Sequence, residues 1–110
     1  MIYYIVDSMK EIADVVVPKN IMKIDGKNNN HDVFLVTIST CIWCKMLKKL
    51  LDENNIQYQY VDIDLLPKAQ KNSLVRVLSN YTDRLGFPIC FIDEAMIRGF
   101  KENEILNKLK

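Results

Sequence analysis

The chain predicts an α/β domain in which one mixed β-sheet carries helices on both faces, and three observations lead there. Along its 110 residues, short apolar runs of strand length alternate with segments whose apolar residues recur at helical spacing. The β-branched run from Val33 leads into a helix with Leu47, Leu50 and Leu51, and the next extended run, Gln57 to Ile63, is then returned parallel by a right-handed crossover. Later, Ile89 to Ile92 and Ala95 to Arg98 are separated only by Asp93 and Glu94, a hairpin, so antiparallel pairs join the parallel one.

The elements follow in order. Ile2 to Val6 reads as a short apolar strand, and Ser8 with Glu11 has the spacing of a capping box for a helix carrying Met9, Ile12, Ala13 and Val16, which Pro18 ends. Ile21 to Ile24 is a further extended piece before the Asp-, Gly- and Asn-rich loop from Asp25 to Asp32, whose residues suit turns. A strand over Val33 to Ser39, a helix over about Trp43 to Asn54 and a strand over Gln57 to Ile63 form the βαβ unit. Pro67 suits the first turn of a helix with Leu74, Val75, Leu78 and Tyr81 on its apolar side. After the hairpin, Glu102 to Leu109 closes the chain as a helix that buries Ile105, Leu106 and Leu109. There is no internal repeat, low-complexity tract or linker, so residues 1–110 are expected to be one domain, with a βα unit over 1–32 and a core over 33–110.

A chain of this length has room for one modest core. Fifteen basic and fourteen acidic side chains leave a formal charge of +1, and the lysines are scattered among carboxylates, which argues against nucleic acid as a partner. Three cysteines are too few for a secreted disulfide scaffold, and an odd count leaves one unpaired. The first residues lack a basic stretch before their apolar run, and no apolar run approaches the ~20 residues that span a bilayer. A soluble, cytosolic, monomeric protein is expected.

Cys41 and Cys44 carry the chemistry. They stand where a strand passes into a helix, so Cys41 lies at the helix N-terminus, where unpaired backbone N–H groups and the macrodipole favour a thiolate. Cys44 follows one turn later, within reach of a mixed disulfide formed on Cys41. Other uses of these cysteines weigh less. Zinc wants four ligands, and beyond the pair only Cys90 and His31 are of the usual types. His31 reads as a solvated loop residue and Cys90 as a small buried hydrophobe. Lys45, Lys48 and Lys49 read as a solvated helix face, with Lys45 and Lys48 adding positive potential near Cys41.

The order of elements, with C-x-x-C at the end of the strand beginning at Val33, resembles the thioredoxin fold. Gly86-Phe87-Pro88 stands before a strand where glutaredoxins and thioredoxins carry their cis-proline, and Arg98-Gly99-Phe100 stands where glutaredoxins carry a Gly-Gly pair. From Val33 to Lys110 the chain resembles a glutaredoxin, and residues 1–32 resemble the additional βα unit of thioredoxins. The resemblance implies a dithiol disulfide oxidoreductase in which Cys41 is the nucleophile and Cys44 the resolving thiol. It also implies that the Phe87–Pro88 backbone receives an extended substrate, while Trp43, Gly99 and Phe100 line the groove. No resident cofactor or metal is implied beyond the redox-active Cys41–Cys44 disulfide.

Departures from the glutaredoxin pattern bear on the partner. Glutaredoxins place a lysine three residues before the first cysteine, for a carboxylate of glutathione, and this chain has Ile38. They place an aspartate for the ammonium group where this chain has Lys101, and a proline or glycine where it has Ile42. One contact is lost and the other reversed in charge, which disfavours glutathione. Arg98-Gly99-Phe100 instead resembles the Ser-Gly-Phe of glutaredoxin-like electron donors to ribonucleotide reductase, which thioredoxin reductase reduces. The expected partners are therefore protein disulfides, ribonucleotide reductase among the candidates, together with a reductase of that kind. Two alternatives stand beside this reading: a glutathione-dependent glutaredoxin, and a metal or iron–sulfur binding module using the same cysteines.

Overall fold

The computed structural model describes residues 7–110, and the strand expected over Ile2 to Val6 lies outside the described residues. Helix α1 (Asp7–Val15) is followed by a 3-10 turn over Pro18–Asn20 and by β1 (Met22–Ile24). Then come β2 (Val33–Thr37), α2 (Ile42–Glu53), β3 (Tyr58–Asp62), α3 (Lys68–Leu78), β4 (Ile89–Ile92), β5 (Ala95–Arg98) and α4 (Glu102–Lys108). The five strands form one sheet in the order β1-β3-β2-β4-β5. β2 runs parallel to β3, with Thr37 opposite Asp62, and the remaining neighbours are antiparallel, with Leu35 opposite Cys90 and Ile89 opposite Arg98. The expected mixed sheet is present.

Every residue of β2 and β4 is buried, which is why these two runs read as continuously apolar and not as alternating strands. The strand period of two still sorts their side chains between two cores. Val33, Leu35, Tyr58, Cys90, Ile92 and Ile97 meet Leu47, Leu50 and Leu51 of α2 and Ile105 of α4 on one face. Phe34, Val36, Val61, Ile89 and Phe91 meet Ile12 of α1 and Leu74 and Leu78 of α3 on the other. Together these two layers place helices on both faces. Gly26 has a steric reason to be glycine: a Cβ there would come within 2.5 Å of the Asn55 carbonyl oxygen, where the loop crosses the end of α2.

Three expectations need correction. Helix α1 spans Asp7–Val15, so Ser8 is inside it and does not cap it; among the described residues its buried Oγ has no hydrogen-bond partner, nor does Glu11 Oε2. Tyr81 lies beyond α3, which ends at Leu78, and packs edge-on against Phe91 with ring centroids 5.2 Å apart. His31 is not a free loop residue: its Nδ1 lies 2.7 Å from Asp93 Oδ2, and Asp93 Oδ1 accepts the Asp32 N–H. That carboxylate ties the loop before β2 to the turn between β4 and β5. Burial pushes the Asp93 carboxyl upward, but the His31 and Asp32 hydrogen bonds and the His31 charge outweigh it, and the net shift is downward. Among the described residues, no helix is long and apolar enough to cross a membrane.

Candidate active site

Cys41 is the N-cap of α2, with extended backbone (φ −80°, ψ 120°), and the Cys44 N–H donates to its Sγ at 3.3 Å. The strand-to-helix junction therefore aims an otherwise unpaired helix donor at the sulfur. Cys41 is half-buried while Cys44 is 1% exposed. Desolvation, together with the hydrogen bond and charge of Cys41, pushes the Cys44 thiol up to about 12, against smaller opposing effects of the Ile38 backbone and the Lys48 charge. The two cysteines are thus an accessible sulfur at a donor-rich helix end and a buried one held protonated beneath it.

The remaining expected residues form two linked groups, Trp43 with Phe100 and Phe87-Pro88 with Gly99. Trp43 is 53% exposed and stacks on Phe100, with centroids 6.1 Å apart and planes at 26°. The Phe87–Pro88 peptide bond is cis, and the Pro88 carbonyl accepts the Gly99 N–H at 2.7 Å. Gly99 has φ +89°, a conformation that glycine adopts without a Cβ penalty. Pro88 is buried, and Phe87 is half-buried against the α1/α3 core. Because Val36 faces Ile89 in the antiparallel β2–β4 pair, Pro88 falls at the same end of the sheet as the Cys41 loop. Arg98 braces the segment before it, donating to Thr82 Oγ1 at 2.9 Å and to the Arg84 carbonyl at 3.0 Å. Ile38 is half-buried against the α1/α3 core, and Lys101 is an exposed N-cap of α4.

Sequence reasoning missed a carboxylate row at the ends of β2 and β3. Buried Thr37 donates to Asp62 Oδ1 at 2.6 Å. Two residues on, the Ser39 N–H donates to Asp64 Oδ1 at 2.9 Å and its hydroxyl to Asp64 Oδ2. The side chains thereby continue the parallel register of Thr37 and Asp62 past the last backbone ladder bond, holding the loop that leads to Cys41. The Ser39 side-chain and backbone hydrogen bonds keep the Asp64 carboxyl below its usual value. Lys48 is drawn into the same row: its Nζ lies 3.6 Å from Asp62 Oδ1 and 3.7 Å from the centre of the Tyr60 ring. It is a half-buried charge one turn beyond Cys44, not part of a solvated face. The matched spacing of Thr37 and Ser39 with Asp62 and Asp64 was the available signal, and it acquires meaning only with the register.

Of the other titratable candidates, Cys90 is fully buried on β4, and desolvation pushes its thiol up to about 12. Among the described residues, no three His, Cys, Asp or Glu side chains are grouped to hold a metal ion.

A family model described as Glutaredoxin matches residues 33–97, more than half of the chain. Glutaredoxin 1 of Rickettsia bellii is 31% identical over 78 residues, which are 71% of this chain and 79% of that protein. An uncharacterized glutaredoxin-like 8.6 kDa protein of the Clostridium pasteurianum rubredoxin operon is 35% identical over 66 residues, 60% of this chain and 81% of its own. The crystal structure of Methanosarcina acetivorans methanoredoxin superposes with a TM-score of 0.74 at 33% identity, covering 80% of this chain and 94% of that one. The residues matched by the family model include the C-x-x-C at the N-cap of α2 and the cis Phe87–Pro88 bond just before β4, and the chain belongs to the glutaredoxin family.

Proposed function

We propose that the protein is a dithiol oxidoreductase that reduces protein disulfides in the cytosol, with Cys41 as nucleophile and Cys44 as resolving thiol. The observation that carries this reading is the Cys44 N–H directed at Cys41 Sγ from the helix end, with the Cys44 thiol buried one turn below. The Cys41 thiolate attacks one sulfur of the substrate disulfide, forming a mixed disulfide and expelling the other substrate sulfur as thiolate. Cys44 then loses its proton and attacks Cys41 Sγ. The second substrate thiolate leaves, the Cys41–Cys44 disulfide forms, and two electrons have passed to the substrate. Phe87 and Pro88 would offer backbone to an extended substrate segment, with Trp43, Gly99 and Phe100 forming the apolar wall of the groove.

The reductant we favour is thioredoxin reductase or a similar enzyme, with ribonucleotide reductase a candidate acceptor. Glutathione fits poorly at both charged ends: Ile38 turns into the core, and Lys101 presents a cation where an ammonium group would have to sit. Trapping tests the assignment of the cysteines. Cys44→Ser should accumulate a mixed disulfide on Cys41, read by mass spectrometry, and Cys41→Ser should neither react nor turn over. An adduct carried by Cys44 in the Cys41→Ser protein would sink it. Comparing turnover of one protein disulfide with glutathione plus its reductase against thioredoxin reductase tests the donor, and faster glutathione-driven turnover would overturn that part.

A further inference from the structure

A cleft of about 290 Å3 opens at the same end of the sheet as Cys41, between the segment that follows α1 and the end of β3. Lys19 and Met22 come from the first side, and Tyr60, Asp62 and Leu65 from the second. Lys19 and Met22 precede the residues matched by the glutaredoxin model. We infer that the cleft is a specificity subsite for the substrate protein, receiving an apolar side chain with a neighbouring carboxylate from the segment that flanks the scissile disulfide. The inference rests on the disulfide-exchange reading above.

Four features support it. Met22 and Leu65 are 48% and 69% exposed, large apolar side chains left without cover at the mouth of a concave surface. The wall that carries Lys19 is braced: Gln70 Oε1 on α3 accepts both the Val17 N–H and an Asn20 Nδ2 hydrogen at 3.1 Å, which holds the turn in place. The cleft is also joined to the nucleophile, since Leu65 follows Asp64, whose carboxylate clamps Ser39 two residues before Cys41. β3, which carries one side of the cleft, is the sheet neighbour of β2, which leads to Cys41, so an extended substrate segment at about 3.3–3.6 Å per residue can run from one to the other. Charge selects the occupant. Of the two charged residues that line the cleft, Asp62 is paired with Lys48, whereas Lys19 has no ion pair among the described residues. The charge left uncompensated at the cleft is positive, which favours a carboxylate.

The test uses the pre-reduced protein in single-turnover exchange at low ionic strength, so that no reductase enters. Two disulfide-bridged peptides carry Leu-Glu or Leu-Lys beside one cysteine, and bis(2-hydroxyethyl) disulfide serves as the small control. The Leu-Glu peptide should react about two- to five-fold faster than the Leu-Lys peptide, the scale of one exposed ion pair. Lys19→Glu should reverse that order, and Leu65→Ser and Met22→Ser should slow both peptides, while the small disulfide keeps its rate in every variant. Equal rates for the two peptides with the unaltered protein, or an order that Lys19→Glu leaves unchanged, would overturn the subsite. Failure to reduce even the small disulfide would instead remove the exchange reading beneath it.

Discussion

Two buried thiols, Cys44 at the start of α2 and Cys90 in the middle of β4, share burial and its effect on the thiol but differ in their neighbours. Both are at most 1% exposed, and desolvation pushes both up to about 12. For Cys90 desolvation is the whole cause, and its surroundings are the apolar face shared with Leu35, Leu47 and Ile105. Cys44 also meets Cys41, the Ile38 backbone and the Lys48 charge, of which the last two favour its thiolate. Low exposure alone therefore does not separate a reactive thiol from a packing one. A sulfur that must ionise transiently needs polar and charged neighbours that lower the cost of the anion, and only one of the two regions supplies them.

The largest contrast should appear in turnover. Cys44→Ala should cut reduction of a protein disulfide by about 100-fold or more, because the mixed disulfide is not resolved, while Cys90→Ala should leave the rate within about two-fold. A steady-state assay reads both, and a Cys90→Ala protein that is fully folded but inactive would break the comparison.

Stability against pH sharpens it next. Desolvation pushes the Cys90 thiol from its ordinary value of 9.0 up to about 12, so the unfolded state should bind fewer protons between those values and stability should fall as pH rises through that window. The slope from this one group is up to about 1.4 kcal/mol per pH unit. Urea unfolding between pH 8 and 10.5 should show Cys90→Ala losing stability less steeply than the unaltered protein. Parallel curves would mean that Cys90 ionises as easily folded as unfolded.

The smallest effect concerns Lys48. Lys48→Met keeps the stem over Tyr60 and removes the charge, which should slow release of the second substrate thiol about two- to five-fold near neutral pH and move its pH dependence upward. Single-turnover mixing of the pre-reduced protein with excess disulfide substrate, followed by release of the second substrate thiol, reads that step. An unchanged pH dependence would leave Lys48 as a packing residue only and bring the two thiols closer together.

Much of this was written locally. The cysteine pair between a strand and a helix and the closing helix are legible from periodicity and punctuation, because each depends on neighbours a few residues away, whereas the role of Pro88 comes from the resemblance to glutaredoxins. That Cys90 is a buried hydrophobe followed from its place in the run Ile89 to Ile92. Ser8 was misread because a one-residue change in a helix start turns a cap into an interior position. The roles of His31, Lys48, Asp62 and Asp64 needed the tertiary structure. His31 meets Asp93 sixty-two positions away, and Ser39 meets Asp64 twenty-five away. Chain order thus determined which elements form and which thiol stands at a helix end. Strand register, the packing of α2 on the sheet and the approach of the loop before β2 decided which carboxylates face which hydroxyls and cations, since such pairs arise only once distant segments are laid side by side.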